Sequence, residues 1–495
     1  MRSFLQTTSG DTAAPASGAA AALRREFDRQ GALADGRWRV SDANADYGLC
    51  ASYPPLLVVP AALGDGALAA GAHFRSKGRV PALTWYDKRS GAALCRASQP
   101  RAGLTGTAAT PEDDAALLHV RAACARSSTR ADAFDEVGGG ASGDDDEVLF
   151  SRDDARDDEI VLEVSATEPA TTHRPRRAPV LRICDCRPVL NAKANAAMGK
   201  GHEVTSRLGG DGCATLEFFD VANIHAMRKS FDACAEACRR SDDDFLVDVH
   251  ASRWPHHLGA VLRGAAVVAR HLEAGDPVLV HCSDGWDRTA QVCALAQLLL
   301  DPYFRTTDGF RTLIDKDFCA FGYMFRERAG LGEDPDRESG PIFLQFLDAV
   351  GQLSYQNPTA FAFTDALLDL LRDAAGSRFF GDFLRDNDRD RVSDAGRAAS
   401  VWAVVDHDPS RFANALYVRC GRLRPRTRGA ALRVDPSFSK WPRGDSAPLR
   451  ARVRELEREV EDSRRRSSLG SGELDDARRR NSLKGEPSDL SLGSI

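Results

Sequence analysis

The sequence predicts an α/β fold with a central, mostly parallel sheet flanked by helices, and three observations predict it. Apolar, strand-like runs alternate along the chain with stretches of helical spacing. One unit, Val278 to Leu300, reads as a buried strand, a tight loop and then a helix. Finally, 495 residues with 43% hydrophobic content suffice to bury one large domain or two moderate ones, with tails left over.

Taken in order, residues 1–37 are expected to form a mostly disordered tail. Their start is rich in Ala, Ser and Thr and poor in acid, a faint transit-peptide likeness to which a floppy tail is preferred. One folded domain is expected over 38–420. Between Trp38 and Trp85, Leu56 to Val59 and Val80 to Leu83 read as short strands, separated by the turn formers Tyr53-Pro54-Pro55 and Lys77-Gly78-Arg79. From Thr105 to Ala178 the character changes, with Gly138-Gly139-Gly140 and the acidic run Asp144-Asp145-Asp146-Glu147. This reads as a solvated insertion, disordered near 125–178, with a helix over Leu117 to Cys124. Order returns with a strand at Val180 to Cys184 and a helix over Val221 to Cys238. A linker is expected over 421–448. Leu449, Val453, Leu456 and Val460 recur at spacings of four, three and four, which suits a short coiled coil or a single amphipathic helix over 449–465. A disordered tail, 466–495, follows, with basic runs beside Ser467 and Ser482 that suit basic-directed kinases.

Charge and cysteine usage exclude several classes. A net charge of −6 is small for this length, so no global field draws the chain to nucleic acid or an anionic membrane, and an anionic ligand must be held locally. The twelve cysteines lack paired metal-like spacings and follow no signal peptide, so reduced thiols are expected. Arg263 and Arg270 interrupt even the apolar stretch Val261 to Leu272, so a soluble or peripheral protein is expected.

The chemistry is concentrated in His281-Cys282-Ser283-Asp284-Gly285-Trp286-Asp287-Arg288-Thr289, between the apolar Val278-Leu279-Val280 and the helix-like segment that ends at Leu300. A loop of this length entering a helix curls its N–H groups toward one point and adds the positive helix end, which suits a tetrahedral oxyanion such as phosphate. Cys282 stands at the mouth of that cradle, where the helix terminus favours the thiolate, the attacking species. Arg288 returns to the same cavity with a planar fork of donors for two phosphoryl oxygens. Thr289 is placed to set its hydroxyl against the cysteine sulfur, and His281 to orient the loop. Asp284 is the favoured proton donor to the leaving alkoxide, with Asp287 second. A Cys six residues before an Arg is common by chance, and most cysteines are small buried hydrophobes; the strand before, the helix after and Gly285 within set this pair apart. Cys293 reads as core.

These residues, through Ala290-Gln291, resemble the signature of the myotubularin phosphoinositide 3-phosphatases. The resemblance spreads from about Leu23 to Val418, through Tyr53-Pro54-Pro55, Phe74-Arg75-Ser76-Lys77-Gly78-Arg79, Asp185-Cys186-Arg187-Pro188, Gly199-Lys200-Gly201, Asn223-Ile224-His225 and Pro341-Ile342-Phe343. It implies a cysteine-dependent phosphatase domain of the protein tyrosine phosphatase type. It further implies removal of the 3-phosphate from phosphatidylinositol 3-phosphate and the 3,5-bisphosphate through a cysteinyl-phosphate, with no metal and no cofactor. By the same resemblance Cys282, Arg288 and Asp284 are catalytic, while Ser283, Asp284, Gly285, Trp286, Asp287, Arg288, Asn223, Ile224 and Arg328 contact substrate, with Arg187 a weaker candidate. Its expected partners are a phosphoinositide in a membrane surface and, through the 449–465 helix, a second copy or a related phosphatase. The expected location is cytoplasmic and peripheral on endosomal membranes.

Three departures from the family pattern stand out. Only 37 residues precede Trp38, where the family usually carries a lipid-binding domain, and only Glu26 to Gly31 resembles its exit. Phe321-Gly322-Tyr323-Met324 replaces a His-plus-cation pattern, so activity on the bisphosphate is expected to be weaker. The acidic insertion is also longer than usual. The alternatives are a protein tyrosine or dual-specificity phosphatase with the same Cys282 and Arg288 chemistry, and a catalytically weak scaffold for an active relative.

Overall fold

The computed structural model describes residues 15–102, 111–125 and 177–434, apart from 198, 241–242, 378 and 395–397, together with Arg458. At its centre is a five-stranded sheet built from β3 (Ala82–Tyr86), β4 (Ala93–Ala97), β5 (Leu181–Asp185), β6 (Ala214–Phe218) and β7 (Val278–His281), in the order β3-β4-β7-β5-β6. β3 and β4 form an antiparallel hairpin, and the remaining pairings are parallel. A small antiparallel pair, β1 (Trp38–Ser41) and β2 (Leu57–Pro60), lies outside it. The expected mixed, mainly parallel sheet is therefore present.

β7 occupies the middle of the sheet because it is apolar on both faces. Val278, Val280 and Cys282 belong to one core cluster and Leu279 to the opposite one. A side chain fully buried this way contributes about 1.5–3 kcal/mol, and only a strand covered on both faces can use an unbroken apolar run. One face is covered by α4 (Trp254–Glu273), α5 (Arg288–Leu300) and α6 (Ile342–Gln356), the other by α1 (Pro15–Gln30) and α2 (Pro111–Cys124). α5 is buried along its entire length, which its Ala, Leu, Val and Cys residues permit. Between β6 and α4 runs α3 (Ile224–Arg240), whose Met227, Phe231, Cys234 and Cys238 form a buried stripe at helical spacing.

The strand at Val180 to Cys184 and the helices over Leu117 to Cys124 and Val221 to Cys238 correspond to β5, α2 and α3, with shifted ends. Two boundaries need correction. The 1–37 segment is not a free tail throughout: Leu23 and Phe27 of α1 are buried against the sheet, and Gln30 Oε1 accepts the Tyr86 N–H at 2.9 Å on the edge strand β3. Gly31, at φ +75°, ends that helix, with Ala32 N–H bonding back to Phe27 O at 3.0 Å. Alanine-rich composition conceals a stripe of only two large residues, and it is the sheet edge that makes them core. Nor does the domain stop at 420. Leu423 and Leu432 are buried in the main cluster, and Leu423 N–H donates to Leu299 O at 2.8 Å. The expected acidic insertion lies almost wholly outside the described residues, as do the 449–465 helix apart from Arg458 and the tail beyond it. All twelve cysteines are free thiols. Among the described residues no helix is long and apolar enough to cross a membrane.

Candidate active site

The loop Cys282 to Asp287 leaves the carboxyl end of the central strand and enters α5 at Arg288. Its turn depends on Gly285, at φ +80°, where a Cβ would lie 2.3 Å from Ala97 O of β4. No residue with a side chain fits there without moving backbone. The loop is braced from beneath by two fully buried guanidinium groups: Arg79 Nη2 and Arg96 Nη2 each donate to Gly285 O at 3.0 Å. Gln99 N–H donates to Ser283 O at 3.0 Å, and Ser76 Oγ to Asp284 Oδ1 at 2.7 Å. So held, the Gly285 N–H points at Cys282 Sγ, 3.3 Å away. Arg288 reaches Ser283 Oγ through Nη2 at 3.3 Å and Val221 O through Nη1 at 3.2 Å. Both bonds are long for a guanidinium, so a dianionic ligand would readily displace them.

Behind the loop lies a buried chain of charges. His281 Nδ1 is 3.2 Å from Cys282 O, and its Nε2 makes an ion pair with Glu203 Oε2 at 2.9 Å. Arg75 Nη1 donates to Glu203 Oε1 at 2.6 Å, and its other edge binds Asp113 at 2.7 and 2.8 Å. Burial alone would push the His281 imidazole down, but the charges of Glu203 and Asp185 outweigh it and hold it above its ordinary range. Burial works in the opposite direction on Glu203, where His281 and Arg75 prevail and hold its carboxyl well below the usual range. His281 thus stands between Glu203 and the Cys282 carbonyl, at the point where β7 passes into the loop. Arg187, also buried, grips Asp185 with its fork and reaches Gln99 Oε1 and Gly201 O.

A protein-family model described as the myotubularin-like phosphatase domain matches residues 3–392. The chain belongs to the myotubularin family. It is 36% identical over 403 residues to a protein named myotubularin from Rattus norvegicus, covering 80% of this chain and 57% of the relative. It is 37% identical over 400 residues to the Homo sapiens phosphatidylinositol-3,5-bisphosphate 3-phosphatase MTMR4, covering 79% of this chain and 32% of the relative. The Mus musculus phosphatidylinositol-3-phosphate phosphatase MTMR7 is 33% identical over 401 residues, covering 80% and 52%. The chain thus spans about half, or less, of the length of these curated relatives.

Cys282, Ser283, Asp284, Gly285, Trp286 and Asp287 stand together on one loop and Arg288 opens α5 directly after it, with Trp286 half-buried near the Arg79 guanidinium. Other expected residues are placed differently. Arg328 comes to the loop, but its fork is closed on both Asp287 oxygens at 2.9 and 2.8 Å. Asn223 is exposed and caps α3, its Oδ1 accepting the Ala226 N–H at 3.1 Å. Ile224 packs beside Gly340 against the core. The Thr289 hydroxyl is buried and has no hydrogen-bond partner, Cys282 Sγ included, so the contact expected of it is not made. Sequence reasoning missed Glu203, Asp113, Arg79 and Arg96 as loop supports. One signal was available for Arg96: a cation inside the otherwise apolar strand Ala93–Ala97 must find buried acceptors.

Proposed function

We propose that this chain is a phosphoinositide 3-phosphatase that hydrolyses the 3-phosphate of phosphatidylinositol 3-phosphate and, more weakly, of the 3,5-bisphosphate. The observation that carries the proposal is the joint placement of Cys282 and Arg288 about a loop whose Gly285 N–H faces the sulfur. The Cys282 thiolate attacks phosphorus and the bond to the inositol oxygen breaks, while Arg288 holds two phosphoryl oxygens. Water then attacks the cysteinyl-phosphate and releases inorganic phosphate. For the proton to the leaving oxygen, geometry favours Asp284: Ser76 engages one of its oxygens, whereas Arg328 occupies both of Asp287. On this reading Trp286 borders the inositol ring, and Asn223 and Ile224 would reach it only from the segment that follows Val221, whose carbonyl meets Arg288. Arg328 would meet a 5-phosphate only by giving up its bonds to Asp287 or to the Glu338 carbonyl, and neutral Met324 adds no charge there.

The substrate is a lipid in a bilayer, and we place the protein in the cytoplasm, peripheral on endosomal membranes, with 449–465 as a helix that pairs with a related phosphatase or a second copy. Leu190 and Val204 support a membrane-facing mouth: they follow Arg187 and Glu203 at the sheet end that carries Cys282, and Leu190 is 79% exposed. The test is phosphate release by wild type and Cys282→Ser on every phosphoinositide and on a phosphotyrosine peptide. Release from 3-phosphorylated lipids alone, abolished in the variant, is the expected result. Preference for the peptide would make this a tyrosine phosphatase, and no release by folded wild type would leave a scaffold.

A further inference from the structure

The two neighbouring parallel strands at the site each run into a cysteine. β5 leads to Cys186 and β7 to Cys282, and the register pairs Cys184 with Val280 and Asp185 with His281. Cys186 and Cys282 are therefore the next partners, and the ladder does continue: Cys186 N–H donates to His281 O at 2.8 Å. The alternation of the pleat sets both side chains on one face. Cys184, Cys186, Val278, Val280 and Cys282 share one core cluster, whereas Leu181, Ile183 and Leu279 belong to the cluster on the other face. Adjacent strands lie about 4.8 Å apart, inside the Cα separation of roughly 4.4–6.8 Å that a disulfide tolerates. Both thiols are free and buried, at 0% and 2% exposure, and the phosphatase mechanism gives Cys186 no task.

We propose that Cys186 is the resolving cysteine for Cys282, so that oxidation of the nucleophile by a peroxide ends in a reversible Cys186–Cys282 disulfide. The proposal rests on the reading of Cys282 as the reactive nucleophile. In the first step the Cys282 thiolate attacks one peroxide oxygen and the O–O bond breaks; with hydrogen peroxide, hydroxide leaves and Cys282 becomes a sulfenic acid. In the second, the Cys186 sulfur attacks that of Cys282, the S–O bond breaks, and the departing hydroxide takes the Cys186 proton as water. Two thiols and one hydrogen peroxide thus give one disulfide and two waters. Burial pushes the Cys186 thiol up, the charge on Cys282 adds to this and Arg288 opposes it. Sulfenic acid formation removes the Cys282 charge and leaves Arg288 to favour the attacking thiolate. The disulfide draws the sulfur away from the Gly285 N–H, which stops turnover until a thiol reductant restores it.

The test treats the full chain with dilute hydrogen peroxide, blocks free thiols and maps tryptic peptides by mass spectrometry without reduction. Trypsin places Cys186 on 183–193, together with Cys184, and Cys282 on 271–288. The expected result is a linkage between these peptides that persists in Cys184→Ala and Cys293→Ala and vanishes in Cys186→Ala. Untreated Cys186→Ala should turn over as wild type does, but after peroxide its Cys282 should reach sulfinic acid and dithiothreitol should not revive it, whereas wild type recovers. Sulfinic acid at Cys282 of wild type without linkage, or linkage to another cysteine, overturns the proposal. Linkage in a chain that releases no phosphate from any lipid sinks the lipid phosphatase reading instead and leaves the disulfide standing.

Discussion

Gly285 shows most directly how one residue commits the site. A side chain there meets the Ala97 carbonyl at 2.3 Å and adopts a left-handed backbone that costs about 1–2 kcal/mol. Gly285→Ala should therefore shift the loop by a fraction of an ångström and lower phosphate release by roughly 100-fold while the fold survives, measurable as kcat beside a thermal melt. The His281–Glu203 pair makes a second prediction, set by pH. Glu203, depressed in the fold, stabilises fully above its ordinary value of 4.5 and loses that as pH falls through its lower folded value. His281, raised in the fold, stabilises fully below its ordinary value of 6.5 and loses that as pH rises through its higher folded value. The stability gap between wild type and Glu203→Gln should thus be widest between about pH 4.5 and 6.5 and narrow on either side. A gap constant from pH 4 to 9 in urea unfolding would show that the ion pair is not the cause.

Elements divide between those that build the sheet and those that present substrate. Helix α1 belongs to the first kind, since Phe27 fills the sheet face opposite α5. Phe27→Ala should cost about 3–5 kcal/mol in chemical unfolding, where a free tail would cost nothing. On the proposed function, the short helix Val189–Ala197 would belong to the second. It starts two residues after Arg187 and shows Leu190 to solvent, so Leu190→Ser should weaken co-sedimentation with vesicles containing phosphatidylinositol 3-phosphate. Turnover of a soluble short-chain lipid should not change, which separates membrane contact from damage to the loop.

At the scale of the whole molecule, the domain closes only when residues beyond 420 return to α5. Leu423 and Leu432 together contribute roughly 3–6 kcal/mol by burial, a large share of the net stability of an ordinary domain. A chain cut after Cys420 should melt well below one cut after Val434, and equal melting temperatures would return 421–434 to the status of a linker. The same closure helps seat Arg305, whose guanidinium bonds the carbonyls of Leu298, Cys420 and Gly421. The Cys282 loop thus rests on a helix that the segment beyond 420 holds down.

The sequence by itself determined the strand, loop and helix from Val278 to Leu300, because those signals are local: an unbroken apolar run, a glycine turn and a helical stretch follow one another without interruption. It also pointed to Arg288 turning back onto the loop, as its bond to Ser283 Oγ does, since a loop of that length entering a helix has few ways to fold. What stands behind the loop was decided elsewhere. Arg75, Arg79, Arg96, Asp113 and Glu203 come from segments up to 206 positions away from the loop residues they support, and no local pattern announces which carboxylate answers which guanidinium. Only the tertiary structure could close Arg328 on Asp287, turn Asn223 into a helix cap and set Cys186 beside Cys282. Side-chain pairing across a sheet depends on register, and register is fixed by the packing of both faces at once.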